Sequence, residues 1–428
     1  MYTRFALGEL LAMAFLPLVV CAVYELFWGD TGKWILMTVA FTCVFQSHIL
    51  STLLVAAYCV IYSLLHVKRL FEKSRMITLA KVGVSTVLLN LWTLIPLLDY
   101  NRLGITDALR RKISDRGMYV AQLLDCISDA SGKGNWVGKK VTTMPINLGL
   151  PILIGCCLFL CVVYRMMCAQ KRENEAAVAQ GFSVAFELFL MGSFAAFMAT
   201  CYFPWNLLER IPLIEMGVQY LQFPFRLMAF ADVLLVLAGA YGFAKIFDGK
   251  EKTQMILIVL VISVISASFL LSDFMKQEPE IYHGETVNTY VSPEEYKFKG
   301  TSKQAMKADM VSVSSDSIQY TSYEKKGTNI RVDITAENEG YIELPLLWFP
   351  GYKAELSSGE KLETVRGDNN VVRVMLSKGI QGTLSVRFEE NWLWKVANLI
   401  SLITLLGGAG YLIRRKIRTK AADQNCRS

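Results

Sequence analysis

Long apolar stretches separated by short polar segments fill the first 272 residues of the chain. Runs of about 20 apolar residues match a hydrocarbon core roughly 30 Å thick, so this pattern predicts helices that cross a membrane. A last apolar run follows a long polar region. The predicted segments lie at about 5–27, 33–46, 48–66, 77–98, 146–167, 183–203, 226–247, 254–272 and 393–413.

The stretch from residue 33 to residue 66 is too long for one simple span. The polar run Gln46-Ser47-His48 interrupts it. We therefore expect two short membrane spans that meet in a tight break at this run, with one long tilted helix as the alternative.

Between residues 273 and 391 the composition changes to Lys, Glu, Ser, Thr and Gly. Apolar and polar residues alternate in 329–335 and again in 383–388, which is the pattern of half-buried strands. Glycine-containing turns at 357–359, 367–369 and 377–379 separate the runs. Short strands with such turns predict an all-β sandwich or jelly roll. The charged segment 293–309 is expected to be irregular.

Basic residues in the short loops predict the orientation of the chain. They collect at 66–75, 165–172 and 247–252 and in the tail after residue 413, and the predicted segments place all four regions on one side. Short cytoplasmic loops carry an excess of Lys and Arg, so that side is expected to be cytoplasmic. The predicted domains are a membrane bundle of about eight segments at 1–272 with an outer loop at 99–145, an extracytoplasmic β-rich domain at 273–391, a last membrane helix at 392–413 and a basic cytoplasmic tail at 414–428.

Composition agrees with this organisation. The chain is 53% hydrophobic and its mean hydropathy is +0.37. The cytoplasmic loops explain the formal net charge of +7, so nucleic acid is not an expected partner. Eight of the ten cysteines lie in or at the ends of apolar runs, where a free cysteine behaves as a small apolar residue.

The outer loop at 99–145 is unusually basic for its predicted side. Its basic residues are Arg102, Arg110, Arg111, Lys112, Arg116, Lys133, Lys139 and Lys140. Either part of the loop lies on the membrane surface or the loop binds an anionic group. The segment 118–127 is a candidate for a short helix in the membrane interface.

Three motifs, in this order along the chain, resemble one family. Residues 4–17 contain Gly8-Glu9 and a proline near mid-helix, and Ser47-His48 follows. Gln-Phe-Pro-Phe-Arg stands at 222–226, just before an apolar helix. LLWFPGYKA stands at 346–354 and is followed by an Asn-containing hairpin, a strand-Gly-strand finish and a membrane helix. This order is similar to that of YfhO-like and 6-pyruvoyl-tetrahydropterin synthase-related bacterial membrane proteins.

The resemblance implies a GT-C-type glycosyltransferase fold. It implies a protein that moves a sugar from a polyprenyl-phosphate carrier to a cell-envelope polymer outside the membrane. The lipid bilayer, the carrier-linked sugar and the polymer acceptor are then the expected partners. Some GT-C enzymes use a divalent metal, but no metal-ligand spacing occurs in this chain, and neither does a phosphate-binding loop or a nucleophile elbow.

This sequence departs from the family pattern at its start. GT-C enzymes carry an acidic catalytic residue in the first outer loop, and no such loop is found here, so no residue inherits that role. The chain is expected to correspond to the C-terminal two-thirds of a longer protein, or to work with a separate chain. The alternative function is a non-catalytic scaffold or transport component whose outer β-domain binds a polymer or a partner protein.

Several polar residues at predicted outer boundaries are candidate substrate-binding residues. Arg226 is suited to a lipid-linked phosphate because its planar fork of donors binds two oxygens, although it could simply reach the headgroups. Glu9 lies inside an apolar helix, where an ionisable group suggests function; the structural alternative is a pair with Arg4 or Arg226. His48 is a candidate proton acceptor or phosphate ligand, or it satisfies backbone groups at the helix break.

The remaining candidates are weaker. Gln222 belongs to the motif of Arg226, and Asp232 lies six residues beyond Arg226 and is expected to pair. Trp205 is either part of an interfacial aromatic belt, which we favour, or a surface for a sugar. Trp348 and Tyr352 are expected to lie in the core of the β-domain rather than on a carbohydrate-binding face.

Overall fold

A computed structural model describes residues 7–103, 113–114, 116–124, 146–168, 176–276, 298, 301 and 311–425. The chain divides into two compact units. The first unit contains Met1–Thr86 and Arg110–Pro279, and the second contains Val87–Leu109 and Glu280–Ser428.

Helices dominate the described part of the chain outside 311–390. They are α1 (Leu7–Phe27), α2 (Trp34–Ser47), α3 (Ile49–Leu65), α4 (Val67–Leu70), α5 (Lys73–Arg102), α6 (Val120–Leu123), α7 (Leu150–Cys168), α8 (Ala176–Met198), α9 (Trp205–Leu208), α10 (Pro212–Leu221), α11 (Met228–Ile246), α12 (Gly249–Lys276) and α13 (Trp392–Asn425). Short 3₁₀ turns lie at Thr31–Lys33, Pro224–Leu227 and Asp368–Asn370.

Within the described residues, seven of these helices are long and apolar enough to cross a membrane, by length and composition. They are α1, α5, α7, α8, α11, α12 and α13. The predicted break at 46–48 is confirmed, because α2 ends at Ser47 and α3 begins at Ile49, but neither of these two helices is among the seven. His48 between them has extended backbone angles, φ −161° and ψ 116°.

Helix α8 ends five residues before the predicted segment does. The segment was expected to reach residue 203, but the helix stops at Met198. Beyond it the backbone of Ala199 and Cys201 bonds to Met118 instead: the Met118 amide donates to Ala199 and the Cys201 amide donates to Met118, both at 2.9 Å. The strand-like bridge between Met118 and Thr200 therefore competes with continuation of the helix.

The first three helices run up, down and up beside each other. Gly8 at the start of α1 lies against the α2–α3 break, where an added Cβ would be 2.7 Å from the Ser47 carbonyl oxygen. At the other end of α1, the Phe27 ring contacts His66, the residue after α3. We call these two ends of the bundle the Glu9 end and the Phe27 end.

Arginines close the Phe27 end of α1. Arg75 Nε donates to the Leu26 carbonyl at 2.9 Å and Arg75 Nη2 donates to the Phe27 carbonyl at 3.0 Å. Arg69 Nη1 donates to Phe27 at 3.3 Å. The last carbonyls of a helix have no partner within it, so these guanidinium groups satisfy them and also match the negative end of the helix dipole.

Helix α11 is the central helix of the first unit and packs on α7 through glycines. A Cβ added to Gly239 would lie 2.9 Å from the Gly155 Cα, and one added to Gly242 would lie 2.7 Å from the Phe159 backbone. Small residues of this kind let two helix backbones approach closely in apolar bundles.

In the second unit, the C-terminal half of α5 packs on α13. The Ser401 hydroxyl donates to the Leu88 carbonyl at 2.9 Å and accepts from the Trp92 amide at 3.2 Å. Two turns further on, Trp394 Nε1 donates to Asp99 Oδ2 at 2.6 Å. Hydrogen bonds therefore join these two helices at two levels.

The residues between 311 and 390 form two antiparallel sheets. The strands are β1 (Ser312–Val313), β2 (Ile318–Lys326), β3 (Asn329–Ala336), β4 (Gly340–Leu347), β5 (Tyr352–Leu356), β6 (Lys361–Leu362), β7 (Thr364–Arg366), β8 (Val371–Leu376) and β9 (Ile380–Phe388). One sheet has the order β1-β4-β8-β7 and the other β2-β3-β9-β5-β6. Both predicted strands and all three predicted turns are confirmed. The predicted irregular segment 293–309 falls outside the described residues except at 298 and 301.

Inward-facing residues of both sheets form one core. Val332, Ile342 and Leu384 are fully buried in it. Tyr352 is 5% exposed and its ring meets Phe388 edge-on, while Trp348 packs against the same core, as the sequence predicted for both. Burial raises the pKa of Tyr352 to about 12.

Candidate functional site

A buried ion pair lies at the Glu9 end of the bundle. Arg226 Nε donates to Glu9 Oε1 at 2.6 Å, and the two side chains are only 10% and 6% exposed. Arg226 Nη1 also donates to the Leu221 carbonyl at 2.9 Å and to Gln222 Oε1 at 3.0 Å. Of the pairings predicted for Glu9, the one with Arg226 is present.

The chain before α11 turns sharply and so positions Arg226. Gln222 has φ +62°, in the left-handed region, and Phe223 is extended with φ −146°. Pro224 disfavours helical angles for the residue before it and suits the first turn of the helix that follows. Arg226 therefore lies in the 3₁₀ turn Pro224–Leu227, directly before α11, and reaches across to α1.

A second arginine lies near the first. The Arg116 guanidinium carbon is 5.0 Å from the centre of the Phe223 ring, and that of Arg226 is 5.6 Å from it. The 116–118 segment is held there by the backbone hydrogen bonds of Met118 to Ala199 and Cys201, and Gly117 lies so close to the Cys201 backbone that a Cβ would not fit. Two guanidinium groups therefore lie near the same aromatic ring at the Glu9 end.

His48 borders the same end of the bundle. Its Nδ1 accepts the Ser51 amide at 3.2 Å and lies 2.9 Å from the Ser51 hydroxyl, so His48 caps the first turn of α3. Gly8 places the start of α1 against this cap, since a Cβ there would be 3.5 Å from the His48 ring. Glu9 follows Gly8 directly.

The other sequence-predicted residues are not all brought into this cluster. Trp205 is 3% exposed and Nε1 donates to the Met198 carbonyl at 2.8 Å, so it closes the end of α8. Asp232 lies on α11, about 9 Å along the helix from Arg226. Its Oδ1 is buried and has no hydrogen-bond partner among the described residues. Arg4 lies outside the described residues.

Glu209 supports the loop that carries Arg116, a role that sequence reasoning did not assign. Its Oε1 accepts the amides of Ile113 and Ser114 at 2.7 and 3.3 Å. Its Oε2 and the Ser114 hydroxyl oxygen are buried without a partner in the described part of the chain. In the sequence, the only local feature that pointed to Glu209 was its position four residues after Trp205 in a loop flanked by prolines.

A second polar cluster, at the Phe27 end, was missed. His66 Nε2 is 3.0 Å from Glu187 Oε2, and Trp28 Nε1 donates to the Tyr62 hydroxyl at 2.9 Å. The rings of Tyr62 and His66 are 4.7 Å apart. Glu187 is the only acidic residue in the apolar segment 183–203, so the reasoning applied to Glu9 would have found it.

The described residues contain no group of three or more His, Cys, Asp or Glu side chains that could hold a metal ion. The described side chains at the Glu9 end include guanidinium, carboxylate and imidazole groups beside an aromatic ring. Comparisons with protein-family models, curated proteins and solved structures give no match for this chain.

Proposed function

We propose that this protein is a multi-pass cell-membrane protein that handles a sugar carried on a polyprenyl phosphate, with its β-sheet domain outside the cytoplasm. In this proposal the bundle is GT-C-like and the Glu9 end faces outward. The sugar goes to a cell-envelope acceptor. The motif order in the sequence supports the reaction class, and the geometry of the Glu9 end supports the lipid-phosphate partner.

The observation that carries the proposal is the pair of arginines around Phe223. Arg116 and Arg226 both lie within 6 Å of this ring. Guanidinium groups bind phosphate oxygens through two parallel hydrogen bonds, which suits a lipid-linked phosphate at a membrane boundary. The loop at 99–145 adds further basic residues to the same region of the sequence.

The orientation follows from charge. Arg69 and Arg75 lie at the Phe27 end, and they belong to the basic loop 66–75. If this loop is cytoplasmic, as its charge favours, the opposite Glu9 end is the outer one. A polyprenyl-phosphate sugar would then meet Arg116 and Arg226 at the outer face.

A specific observation favours the scaffold as the second candidate. Arg226 already donates to Glu9, to Leu221 and to Gln222. In the scaffold role this guanidinium holds the start of α11 against α1 and binds no ligand. In that case the bundle would support the β-domain, which would do the binding.

A charge reversal separates the two candidates. Deletion of the gene is expected to remove a sugar from the envelope polymer, and the sugar composition of purified envelope measures this. The double variant Glu9→Arg/Arg226→Glu keeps an ion pair but moves its guanidinium to α1. If the double variant folds like the wild type but the envelope still lacks the sugar, the result supports binding of a lipid phosphate by Arg226. If the double variant folds and the envelope also carries the sugar, the result supports the scaffold.

Arg116→Ala gives an independent reading. It leaves the Glu9–Arg226 pair in place and is expected to lower the envelope sugar content. Arg210→Ala is the matched control, because Arg210 is exposed and follows Glu209 in the loop after α8. An unchanged envelope after deletion of the gene would contradict the proposed function outright.

A further inference from the structure

Large apolar side chains are exposed in residues 202–221, which we call the α8–α11 loop. Four of them are between 39% and 62% exposed, namely Tyr202, Leu207, Ile211 and Ile214. Single exposed apolar residues are ordinary on a protein surface, but a cluster of them marks a surface that contacts a membrane or another protein.

Aromatic contacts join the start of this loop to the outer surface of α8. The Phe203 ring meets the rings of Phe194 and Phe197 edge-on, with centroids 6.0 and 5.7 Å away. Both of these α8 residues are exposed. Phe194 lies four residues before the end of α8 at Met198, which is about 6 Å along the helix. The chain after α8 therefore folds back and stays beside the exposed apolar face of the helix.

This continuity indicates what covers the loop. Helix α8 is one of the helices that are long and apolar enough to cross a membrane, and in a membrane its exposed residues Leu190, Phe194 and Phe197 face lipid. Phe203 extends that surface past the end of the helix. The exposed apolar residues of the loop thus continue a lipid-facing surface, and lipid is the partner that this surface fits.

The polar groups near these residues do not oppose this placement. The Glu209 carboxylate turns inward, where Oε1 accepts the amides of Ile113 and Ser114. The Trp205 indole N–H is already bonded to the Met198 carbonyl. Arg210 is exposed, and its long stem allows the guanidinium to reach the headgroups while the stem lies along apolar surface.

Helix α10 repeats the same division into an apolar and a polar side. Ile214, Val218 and Leu221 follow one another at spacings of four and three residues, so they share one face of the helix. Glu215 and Gln219 lie one turn apart on another face, where Gln219 Nε2 donates to Glu215 Oε1 at 2.7 Å. An amphipathic helix of this kind suits the boundary between lipid and water.

We propose that the α8–α11 loop lies in the membrane interface, with its exposed apolar side chains in the lipid leaflet that borders the Glu9 end. Interfacial helices bury their apolar face about 5–10 Å into the boundary between headgroups and acyl chains. Glu209 of this loop also holds the 113–114 segment, which leads directly to Arg116. The anchored loop therefore keeps the Arg116 guanidinium at the level of the lipid headgroups.

This inference rests on one part of the proposed function, the placement of the helices in a membrane, and goes beyond it. The partner is ordinary bilayer lipid. The inference therefore holds whether or not a polyprenyl phosphate binds to the arginines.

Spin labels on the full-length protein test the position of the loop. A variant without the native cysteines receives Leu207→Cys or Ile214→Cys, is labelled, and is placed in nanodiscs of phosphatidylethanolamine and phosphatidylglycerol. Collisions of the label with oxygen, which concentrates in lipid, are compared with collisions with a water-soluble nickel chelate. Both labels are expected to collide more often with oxygen, at a depth of about 5–10 Å.

Two control positions calibrate the measurement. Leu190→Cys lies on the exposed face of α8, about 12 Å inside the end of the helix, and reports lipid. Ser358→Cys lies in an exposed turn of the β-domain and reports water. If the labels at 207 and 214 behave like the label at 358 while the label at 190 is in lipid, the loop lies in water and the inference alone is wrong.

Two other outcomes also overturn the inference. Labels at 207 and 214 that are shielded from both oxygen and the nickel chelate would show that protein, from a second copy or a partner, covers the loop. A label at 190 that behaves as if in water would remove the membrane placement and this inference together.

A second measurement serves if the cysteine-free protein fails to fold. A fluorescent amino acid replaces residue 207 or residue 358 in the protein with its native cysteines, again in nanodiscs. Lipids that carry a spin label near the headgroup end of the acyl chain are then expected to quench the fluorescence at 207 but not at 358. Equal fluorescence at 207 with and without these lipids would contradict the inference.

Discussion

Glu9 and Arg226 show how an ionisable side chain is tolerated in an apolar bundle. Each has little access to solvent, so its charge is stable only while the other is opposite. The additional bonds from Arg226 to Leu221 and Gln222 satisfy further donors of the guanidinium. The pair therefore fixes the start of α11 against the start of α1, whatever else it binds.

Removing both members of this pair is expected to destabilise the protein less than the two single losses added together. Arg226→Ala leaves the Glu9 carboxylate buried and should lower the free energy of unfolding by about 3–5 kcal/mol. The double variant Glu9→Gln/Arg226→Ala should lose less than the sum of the two single variants, with a coupling of at least about 1 kcal/mol. Unfolding of the purified protein by titration with SDS measures all four proteins. Additive losses would mean that the pair is not coupled.

At the residue scale, the sequence predicted which residues lie at the Glu9 end better than it predicted their contacts. It named Glu9 from its position inside an apolar segment, Arg226 from its position at the start of one, and Gln222 from the motif that contains Arg226, and the three lie together. It could not find the contact of Arg116 with Phe223, because that contact depends on a loop folding back onto the end of α8. Asp232 was expected to pair, yet its Oδ1 has no partner among the described residues.

The contact between α5 and α13 shows what a single hydroxyl does between two apolar helices. Ser401 bridges the Leu88 carbonyl and the Trp92 amide, two groups that bond to each other in a regular helix. Pro96 lies one turn further along α5 and has no amide to donate to the Trp92 carbonyl. The serine therefore joins α13 to α5 where the backbone bonding of α5 is already weakened.

Ser401→Ala is expected to have a modest but measurable effect. Hydrogen bonds between membrane helices contribute about 0.6 kcal/mol on average and at most about 1.7 kcal/mol, so the loss of unfolding free energy should fall in that range. Thr404→Val is the matched control, because the Thr404 hydroxyl bonds only to the Ile400 carbonyl of its own helix in the contacts seen here. Equal losses for the two variants would show that the bridge to α5 contributes nothing.

At the element scale, periodicity predicted most of the fold. Apolar length located the long helices, and the polar run at 46–48 located the break between α2 and α3. Alternation located β3 and β9. The end of α8 was missed because a tertiary contact, the backbone bridge from Met118 to Ala199 and Cys201, stops the helix while the sequence remains apolar.

The whole molecule combines a helical bundle with a sheet domain, and the proposed function requires a particular orientation. The basic residues that close the Phe27 end of α1 belong to one of the four regions expected to be cytoplasmic. In the predicted topology, an even number of crossings separates those regions from one another. The orientation is therefore a single choice that fixes the side of every loop at once.

Labelling of introduced cysteines in intact cells tests this orientation. In a variant without the native cysteines, Ser358→Cys in the turn after β5 should react with a membrane-impermeant maleimide. Lys250→Cys, between α11 and α12, should react only after the cells are permeabilised. Both positions are exposed, so reactivity reports their side of the membrane rather than burial. The reverse labelling pattern would show that the orientation is opposite to the one proposed, with the Glu9 end on the cytoplasmic side.

Lipid binding tests the central proposal most directly. The full-length protein is purified in detergent, mixed with a polyprenyl phosphate or with the matching polyprenol, and examined by native mass spectrometry. The phosphate lipid is expected to be retained about tenfold better than the alcohol, the usual effect of charge-assisted hydrogen bonds to phosphate. Arg116→Ala should remove that preference, and Arg210→Ala should keep it. Equal retention of the two lipids by the wild-type protein would contradict the proposed role of the Glu9 end.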